Sequence, residues 1–113
     1  MTMQNHEDKI HILFICHGNI CRSPMAEMIM KNMVRQRGLD GKYEISSMAA
    51  TTEEVGHDIY PPAKRTLQAH HIPYTRRRAA LMTRKDYEEA DYVTVGVDGG
   101  MTVVFRDGMD ILV

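Results

Sequence analysis

Cys16 and Arg22, six positions apart, have the residue types and the spacing that suit the binding of a phosphate or a similar oxyanion. The largely apolar run at residues 10–15 is typical of a buried strand. Ser23-Pro24 predicts a helix start, with Glu27 as an acid in the first turn. A loop between such elements can turn its backbone N–H groups around an anion, and the helix N-terminus adds partial positive charge. The same surroundings favour a thiolate at Cys16.

These side chains predict a phosphoryl transfer that depends on cysteine. Cys16 is the predicted nucleophile, which takes the phosphoryl group from a monoester before water releases inorganic phosphate. Arg22 is expected to bind two phosphate oxygens with its planar fork of donors and to stabilise their charge. Ser23 is expected to donate to the thiolate, to cap the helix, or both. The alternatives, a buried structural cysteine and an exposed arginine, are disfavoured because both residues flank one loop.

The order of the predicted elements places this loop at one edge of a sheet. Strands are expected near 10–16, 43–47 and 92–97, and helices near 24–37, 62–70 and 83–89. This alternation predicts an α/β fold in three layers, a parallel sheet with flanking helices, and a ligand at the carboxyl edge of the strands. Residues at helical spacing in the first helix are expected to face the sheet: Ala26, Ile29, Met30, Met33 and Val34.

The string from Leu13 to Glu27, LFICHGNICRSPMAE, is far more specific than a cysteine and an arginine alone. It is accompanied by Ser47, Glu53-Glu54-Val55-Gly56, Tyr60-Pro61-Pro62-Ala63 and Met82-Thr83-Arg84-Lys85-Asp86-Tyr87. On these residues the chain, from 10 to about 98, resembles the low-molecular-weight protein tyrosine phosphatases of the bacterial type. The resemblance implies hydrolysis of a phosphotyrosine protein or a small aryl phosphate through a phosphocysteine intermediate, inhibition by the product phosphate, and no cofactor or metal.

The resemblance also implies roles within the loop. Asn19 is expected to bond Ser47 and so to support the shape of the loop. Cys21 is expected either to protect the nucleophile through a reversible disulfide or to rest as a small buried side chain. Gly18 and Asn19 tolerate the left-handed backbone that a tight anion-binding loop requires. The expected phosphate-binding set is His17, Gly18, Asn19, Ile20, Cys21 and Arg22.

The rim of the pocket is expected to favour phosphotyrosine. Ile20 stands where members of the family that are specific for phosphoarginine tend to carry threonine. Glu53 stands where some eukaryotic members have an aromatic residue, and Glu54 is expected beside it. Tyr60 is then the candidate for an aromatic wall.

The general acid of the family comes from an Asp-Pro loop, and this sequence contains no Asp-Pro pair. The acid is therefore unknown, and impaired turnover is expected, since such an acid typically supplies about 10²–10⁴-fold. Asp98 matches a structural aspartate instead, and Asp107 and Asp110 are the acids of the divergent tail at 99–113. We interpret that tail as antiparallel edge strands at 102–105 and 111–113, joined by turns at 98–100 and 106–108, in preference to a poorly packed product of frameshift or truncation.

Composition fits one domain over residues 1–113 with a flexible segment at 1–9. The net charge of −1 provides no overall field for nucleic acid or membranes, and Arg76-Arg77-Arg78 is interpreted as a solvated face. His70-His71 are expected to be exposed and not a metal site. The absence of a spanning or signal segment predicts a cytoplasmic protein. A sheet edge without a partner makes a monomer or a weak homodimer the expected state.

Three other functions compete with the phosphatase. A non-catalytic module that binds oxyanions or phosphoproteins is consistent with the missing acid. An arsenate reductase of the same fold requires further cysteines, and none follows Cys21. A phosphocysteine carrier shares the layout of strand, cysteine and loop but lacks the arginine that stands here at Arg22.

Overall fold

Strands and helices alternate along the first part of the chain, as their sequence patterns predict. The computed structural model of the chain describes residues 9–97, 100–105 and 110–112, so the segment predicted to be flexible lies outside the described residues up to residue 8. The elements are β1 (Ile10–Cys16), α1 (Arg22–Gln36), β2 (Tyr43–Ala49), α2 (Pro61–Ala69), α3 (Arg84–Glu89), β3 (Tyr92–Val97), β4 (Gly100–Phe105) and β5 (Asp110–Leu112).

Among the described residues, strand β1 lies inside a sheet of five strands with the order β2-β1-β3-β4-β5. It pairs in parallel with β2 on one side and with β3 on the other, so the predicted α/β fold with a parallel sheet is confirmed. The carboxyl ends of these three strands share one edge, where open α/β sheets bind their ligands. Strand β1 ends at this edge with Cys16, and α1 begins there at Arg22.

Two apolar clusters hold the helices and the sheet together. One joins β1 and β3 to the segment around α3, and its buried members are Leu13, Ile15, Ala90 and Val93. The other joins α1 to α2, and its buried members are Met28, Ile59, Ala63 and Leu67. Because packed interiors resist small displacements, these clusters fix the end of β1 and the start of α1, the two anchors of the loop between them.

The sheet continues beyond β3 in antiparallel strands. Strand β4 pairs with β3 from Tyr92↔Phe105 to Val97↔Gly100, and β5 pairs with β4. The predicted antiparallel edge is therefore confirmed, although β4 begins at Gly100, earlier than expected. The predicted turn at 106–108 lies outside the described residues, as do positions 98 and 99 of the other predicted turn and positions 109 and 113.

Helix α1 begins earlier than predicted, and this changes the roles of its first residues. Its N-cap is Cys21, without a side-chain cap, so the interpretation of Ser23 as N-cap is wrong. The prediction of Glu27 in the first turn is also wrong, since no acid lies there. Ile29 and Met33 are 36% and 45% exposed, so they do not form the buried face.

The buried positions of α1 are Ser23, Pro24, Glu27, Met28 and Val34. Two of them, Ser23 and Glu27, are polar and stand four residues apart, which places them on one face of the helix. The Ser23 side chain bonds to the loop, and the Glu27 side chain bonds to β2. Apolar periodicity alone therefore misplaces the buried face, because polar anchors occupy part of it.

Candidate active site

The loop between β1 and α1 surrounds the sulfur of Cys16 with hydrogen-bond donors. Cys16 is only 5% exposed. Its Sγ lies 3.1 Å from Ser23 Oγ, 3.3 Å from the backbone nitrogen of Asn19 and 3.4 Å from that of Ser23. Donors that converge on one sulfur stabilise a negative charge there, which is what a thiolate requires.

Burial alone raises the pKa of the Cys16 thiol, because a thiolate loses hydration inside a protein. The hydrogen bond from the Ser23 side chain and those from the backbone N–H groups of Ser23, Asn19 and Gly18 outweigh that effect, and the pKa lies below its ordinary value. The thiolate, the reactive form of a cysteine, is therefore more populated at neutral pH than in an ordinary thiol.

Asn19 is the central residue of the loop. It is fully buried, and its φ of 59° confirms the left-handed backbone predicted for it. Its Nδ2 donates to Ser23 Oγ at 2.8 Å and to Ser47 Oγ at 3.0 Å. Since its backbone N–H also donates to Cys16, this one residue joins Cys16, helix α1 and strand β2.

Gly18 has a different reason to be glycine from the one predicted. Its φ is not positive, so the prediction of left-handed backbone is wrong at this residue. A Cβ atom here would lie 2.9 Å from Cγ of Glu54, too close for two carbon atoms. The loop therefore needs glycine at this position because the segment that carries Glu54 packs directly against it.

An arginine that sequence reasoning missed lies beneath the loop. The side chain of Arg77 is only 16% exposed. It donates to Asn19 O at 3.2 Å, to Asn19 Oδ1 at 2.7 Å and to the carbonyl oxygen of Ser47 at 3.4 Å. The solvated face predicted for the three consecutive arginines is thus wrong for the middle one, whereas Arg76 and Arg78 are exposed. Nothing in a run of identical residues distinguishes the one that turns inward.

A buried carboxylate completes this layer. Glu27 Oε1 accepts a hydrogen bond from Ser47 Oγ at 2.5 Å, and Oε2 accepts one from Lys31 Nζ at 2.6 Å. Arg77 Nε lies 3.9 Å from Oε1, so the cation and the anion neutralise each other beneath the loop. Carboxylates are almost never fully buried unless they are paired, which these contacts achieve.

Arg22 stands at the first position of α1 with its side chain exposed. Within the described ranges Arg22 forms no ion pair with a carboxylate. The ion pairs that lysines and arginines form there involve other residues. A cation at a helix N-terminus opposes the helix dipole. Its guanidinium is therefore available for an anion held by the loop.

The predicted rim residues gather around the loop. His17 Nε2 lies 3.0 Å from Glu53 Oε1, and both side chains are exposed. The backbone N–H of Tyr60 donates to the carbonyl oxygen of Ile20 at 2.7 Å, and the tyrosine is 48% exposed. Cys21 is half-buried, and both cysteines are free thiols.

Other groups of possible functional interest give simpler results. His70 and His71 are exposed, as predicted. Within the residues that the structure describes, no group of at least three His, Cys, Asp or Glu side chains is placed to hold a metal ion. The helices of the same residues include none with the length and apolar character needed to cross a membrane.

A parallel sheet carries a buried cysteine to a loop lined with hydrogen-bond donors, and an arginine stands at the start of the following helix, so this is an α/β protein with a candidate oxyanion site. Residues 11–103 match the family described as low molecular weight phosphotyrosine protein phosphatase. The chain belongs to this family, as the resemblance predicted.

Individual relatives agree with this assignment. The low molecular weight phosphotyrosine protein phosphatase 2 of Drosophila melanogaster is 33% identical over 80% of this chain and 55% of its own length. The low molecular weight protein-tyrosine-phosphatase YfkJ of Bacillus subtilis is 32% identical over 74% of this chain and 54% of its own length. The crystal structure of YfkJ superposes with a TM-score of 0.78 over 83% of this chain and 59% of that one. The chain thus spans somewhat more than half the length of these relatives.

Proposed function

We propose that this chain is a cysteine-dependent protein tyrosine phosphatase that hydrolyses aryl phosphate monoesters, phosphotyrosine among them, through a phosphocysteine intermediate. The observation that supports it most is the set of donors within 3.4 Å of Cys16 Sγ, two from the backbone and one from Ser23 Oγ. Membership in the phosphatase family supports the same chemistry. We propose further that the whole chain acts as one catalytic domain.

In the first step, the Cys16 thiolate attacks phosphorus, the S–P bond forms, and the P–O bond to the aryl group breaks. The phosphoryl oxygens lie among the backbone N–H groups of residues 17–22, and the fork of Arg22 binds two of them. These donors stabilise the charge that the oxygens carry in the transition state. The aryloxide leaves with the electron pair of the broken bond and takes a proton from an acid or from water.

In the second step, water attacks phosphorus and the P–S bond breaks. The electron pair returns to sulfur, the proton of the water passes to solvent, and inorganic phosphate is released. The Ser23 hydroxyl, 3.1 Å from the sulfur, stabilises the thiolate as it leaves. The loop that activates Cys16 as a nucleophile therefore also makes it a good leaving group.

This mechanism assigns no residue to protonate the leaving aryloxide. The sequence contains no Asp-Pro pair, Asp107 lies outside the described residues, and the acid remains unassigned. We propose that the 113-residue polypeptide turns over slowly for leaving groups that need a proton. Loss of a general acid typically costs about 10²–10⁴-fold.

Hydrolysis of p-nitrophenyl phosphate tests the proposed activity. The parent should release nitrophenolate, Cys16→Ser should release none above background, and Arg22→Lys should lose most of the rate because the bidentate fork is lost. Arg35→Lys, an exposed arginine at the other end of α1, is the matched control and should keep the rate of the parent. Equal rates for the parent and Cys16→Ser would refute the proposal.

A comparison of leaving groups tests the missing acid. Nitrophenolate leaves without a proton near neutral pH, whereas phenolate, with a conjugate acid near pKa 10 as in tyrosine, needs one. The rate with phenyl phosphate should therefore fall far below that with p-nitrophenyl phosphate. Similar rates for the two esters would show that an acid operates in this chain.

A non-catalytic module that binds oxyanions is the second candidate, because a loop can bind phosphate without an acid. It predicts that vanadate or phosphate raises the melting temperature of the parent, while no aryl phosphate is hydrolysed. Hydrolysis that depends on Cys16 excludes it. An arsenate reductase would require more thiols than Cys16 and Cys21 provide.

We propose phosphotyrosine as the preferred substrate because Ile20 and Tyr60 supply apolar and aromatic surface beside the loop. A protected phosphotyrosine peptide should be hydrolysed faster than a phosphoarginine peptide of the same sequence.

We further propose that Cys21 protects the nucleophile by a reversible disulfide, and that the protein is a cytoplasmic monomer or weak homodimer. Sedimentation at several concentrations tests the oligomeric state.

A further inference from the structure

Arg77 binds Asn19 at two points. One arm of the guanidinium donates to the carbonyl oxygen of Asn19 at 3.2 Å, and the other donates to its Oδ1 at 2.7 Å. Asn19 is fully buried and its backbone is left-handed, so protein groups satisfy its hydrogen bonds. The backbone N–H of Ala80 also faces Oδ1, but at the longer distance of 3.3 Å.

This contact, the shorter of the two that Oδ1 accepts, favours one orientation of the Asn19 amide. An arginine has five donors and no acceptor, so only an oxygen can face it. The Oδ1 atom of Asn19 therefore lies toward Arg77, and Nδ2 is directed to the opposite side. Both Nδ2 hydrogens are then used, one on Ser23 Oγ at 2.8 Å and one on Ser47 Oγ at 3.0 Å.

The orientation of the Asn19 amide in turn sets the orientation of both serine hydroxyls. Ser47 Oγ accepts from Asn19 and donates to Glu27, whose ionised carboxylate can only accept. Ser23 Oγ likewise accepts from Asn19, so its own hydrogen is free for the sulfur of Cys16 at 3.1 Å. Each chain of hydrogen bonds thus begins at a cation that only donates and ends at an anion that only accepts.

We propose that Arg77 is a positioning residue that orients these hydrogen bonds so that the Ser23 hydroxyl always donates to Cys16. The inference rests on the proposed role of Cys16 as a thiolate but not on turnover. It assigns Arg77 an effect on the nucleophile through two intervening residues.

The test measures the pH midpoint of Cys16 alkylation by iodoacetamide, followed by peptide mass spectrometry, in four single variants. Arg77→Met should raise the midpoint by about one pH unit, because a bond to the thiolate is weakened. Ser23→Ala should raise it by a similar amount. Arg77→Lys keeps the charge but not the fork and should give a smaller rise. Arg78→Met, at the exposed neighbouring arginine, should leave the midpoint unchanged.

The double variant Ser23→Ala/Arg77→Met separates orientation from a general effect. If Arg77 acts through Ser23, the double variant should have nearly the same midpoint as Ser23→Ala alone. Additive shifts would overturn the proposal, because Arg77 would then act by a separate route. The variants keep the other ionisable groups around the loop, which are Cys21, Arg22, Glu27, the His17–Glu53 pair and the Glu54–His57 pair.

Two further outcomes would overturn the inference. An unchanged midpoint in Arg77→Met would show that the guanidinium does not orient Ser23. A midpoint in Arg77→Lys equal to that of the parent would show that positive charge suffices without the fork. If Arg77→Met does not fold, as circular dichroism would show, Arg77→Lys with and without Ser23→Ala decides the question. Because alkylation does not require turnover, the predicted shifts in a protein that hydrolyses no aryl phosphate would refute the proposed function alone.

Discussion

Replacing Glu27 by glutamine should lower the free energy of unfolding by about 2–3 kcal/mol. The side chain keeps its shape and loses its charge, while it is only 8% exposed. The substitution removes the anion that accepts from Ser47 at 2.5 Å and leaves Arg77, 3.9 Å away, without a buried counter-charge. The glutamine amide also places an NH₂ group, which can only donate, where Ser47 Oγ and Lys31 Nζ already donate.

The magnitude follows from the separate contacts. A hydrogen bond to a charged group contributes about 1.5–3 kcal/mol, so the Ser47 bond accounts for most of the loss. The Lys31 bond adds about 0.5 kcal/mol or less, since that lysine is 44% exposed and can turn to water. Breaking a buried ion pair typically costs about 3–5 kcal/mol, but Arg77 keeps its carbonyl partners, which lowers the total.

Urea unfolding followed by circular dichroism measures this loss. The midpoint for Glu27→Gln should fall with an unchanged slope, because the same surface is exposed on unfolding. Glu88→Gln is the matched control, since its carboxylate pairs with Arg84 on an exposed face and should contribute within about 0.5 kcal/mol. A Glu27→Gln protein as stable as this control would show that the buried carboxylate does not stabilise the fold.

Three other substitutions probe the loop and its supports. Gly18→Ala should weaken tungstate binding at least tenfold in a thermal-shift titration, and Glu54→Ala in the same chain should restore most of it, because it removes the Cγ atom at 2.9 Å. Asp58→Asn should lower the free energy of unfolding by about 1 kcal/mol at neutral pH. The salt bridge to Lys64 lowers the pKa of the Asp58 carboxyl from 3.8 to about 2. In urea unfolding, the difference from the parent should therefore disappear as the pH falls through that range. Gly38→Ala should lower the unfolding free energy by about 1 kcal/mol because φ is +69°, whereas Gly41→Ala, with open space and no such φ, should not.

Sequence alone predicts the strands and the position of Cys16 at a strand end, because their signals are local. Strand β1 is an apolar run, and Cys16 and Arg22 stand at its end and at the following helix start. The signals for the strands of the tail are also local, since β-branched residues form these strands and glycines flank them. Pairing of β4 against β3 follows from the short connection between them.

The layer beneath the loop could not be predicted from sequence, because it depends on residues far apart in the chain. Arg77 meets Asn19 across 58 positions, and its neighbours in sequence are the same residue type. Glu27 looks like an acid at a helix start, yet tertiary contacts with Ser47 place it on the buried face of α1. Periodicity records apolar burial and has no means of marking a buried polar anchor.

We propose that Cys16 rests as a thiolate within an oxyanion-binding loop. Alkylation by iodoacetamide at mildly acidic pH, with and without tungstate, tests it most directly, and Cys21 in the same digest serves as internal reference. Cys16 should react faster than Cys21 and should be protected by tungstate. Reaction of Cys16 only at alkaline pH, at a rate that tungstate does not change, would show that Cys16 is an ordinary thiol outside any oxyanion site.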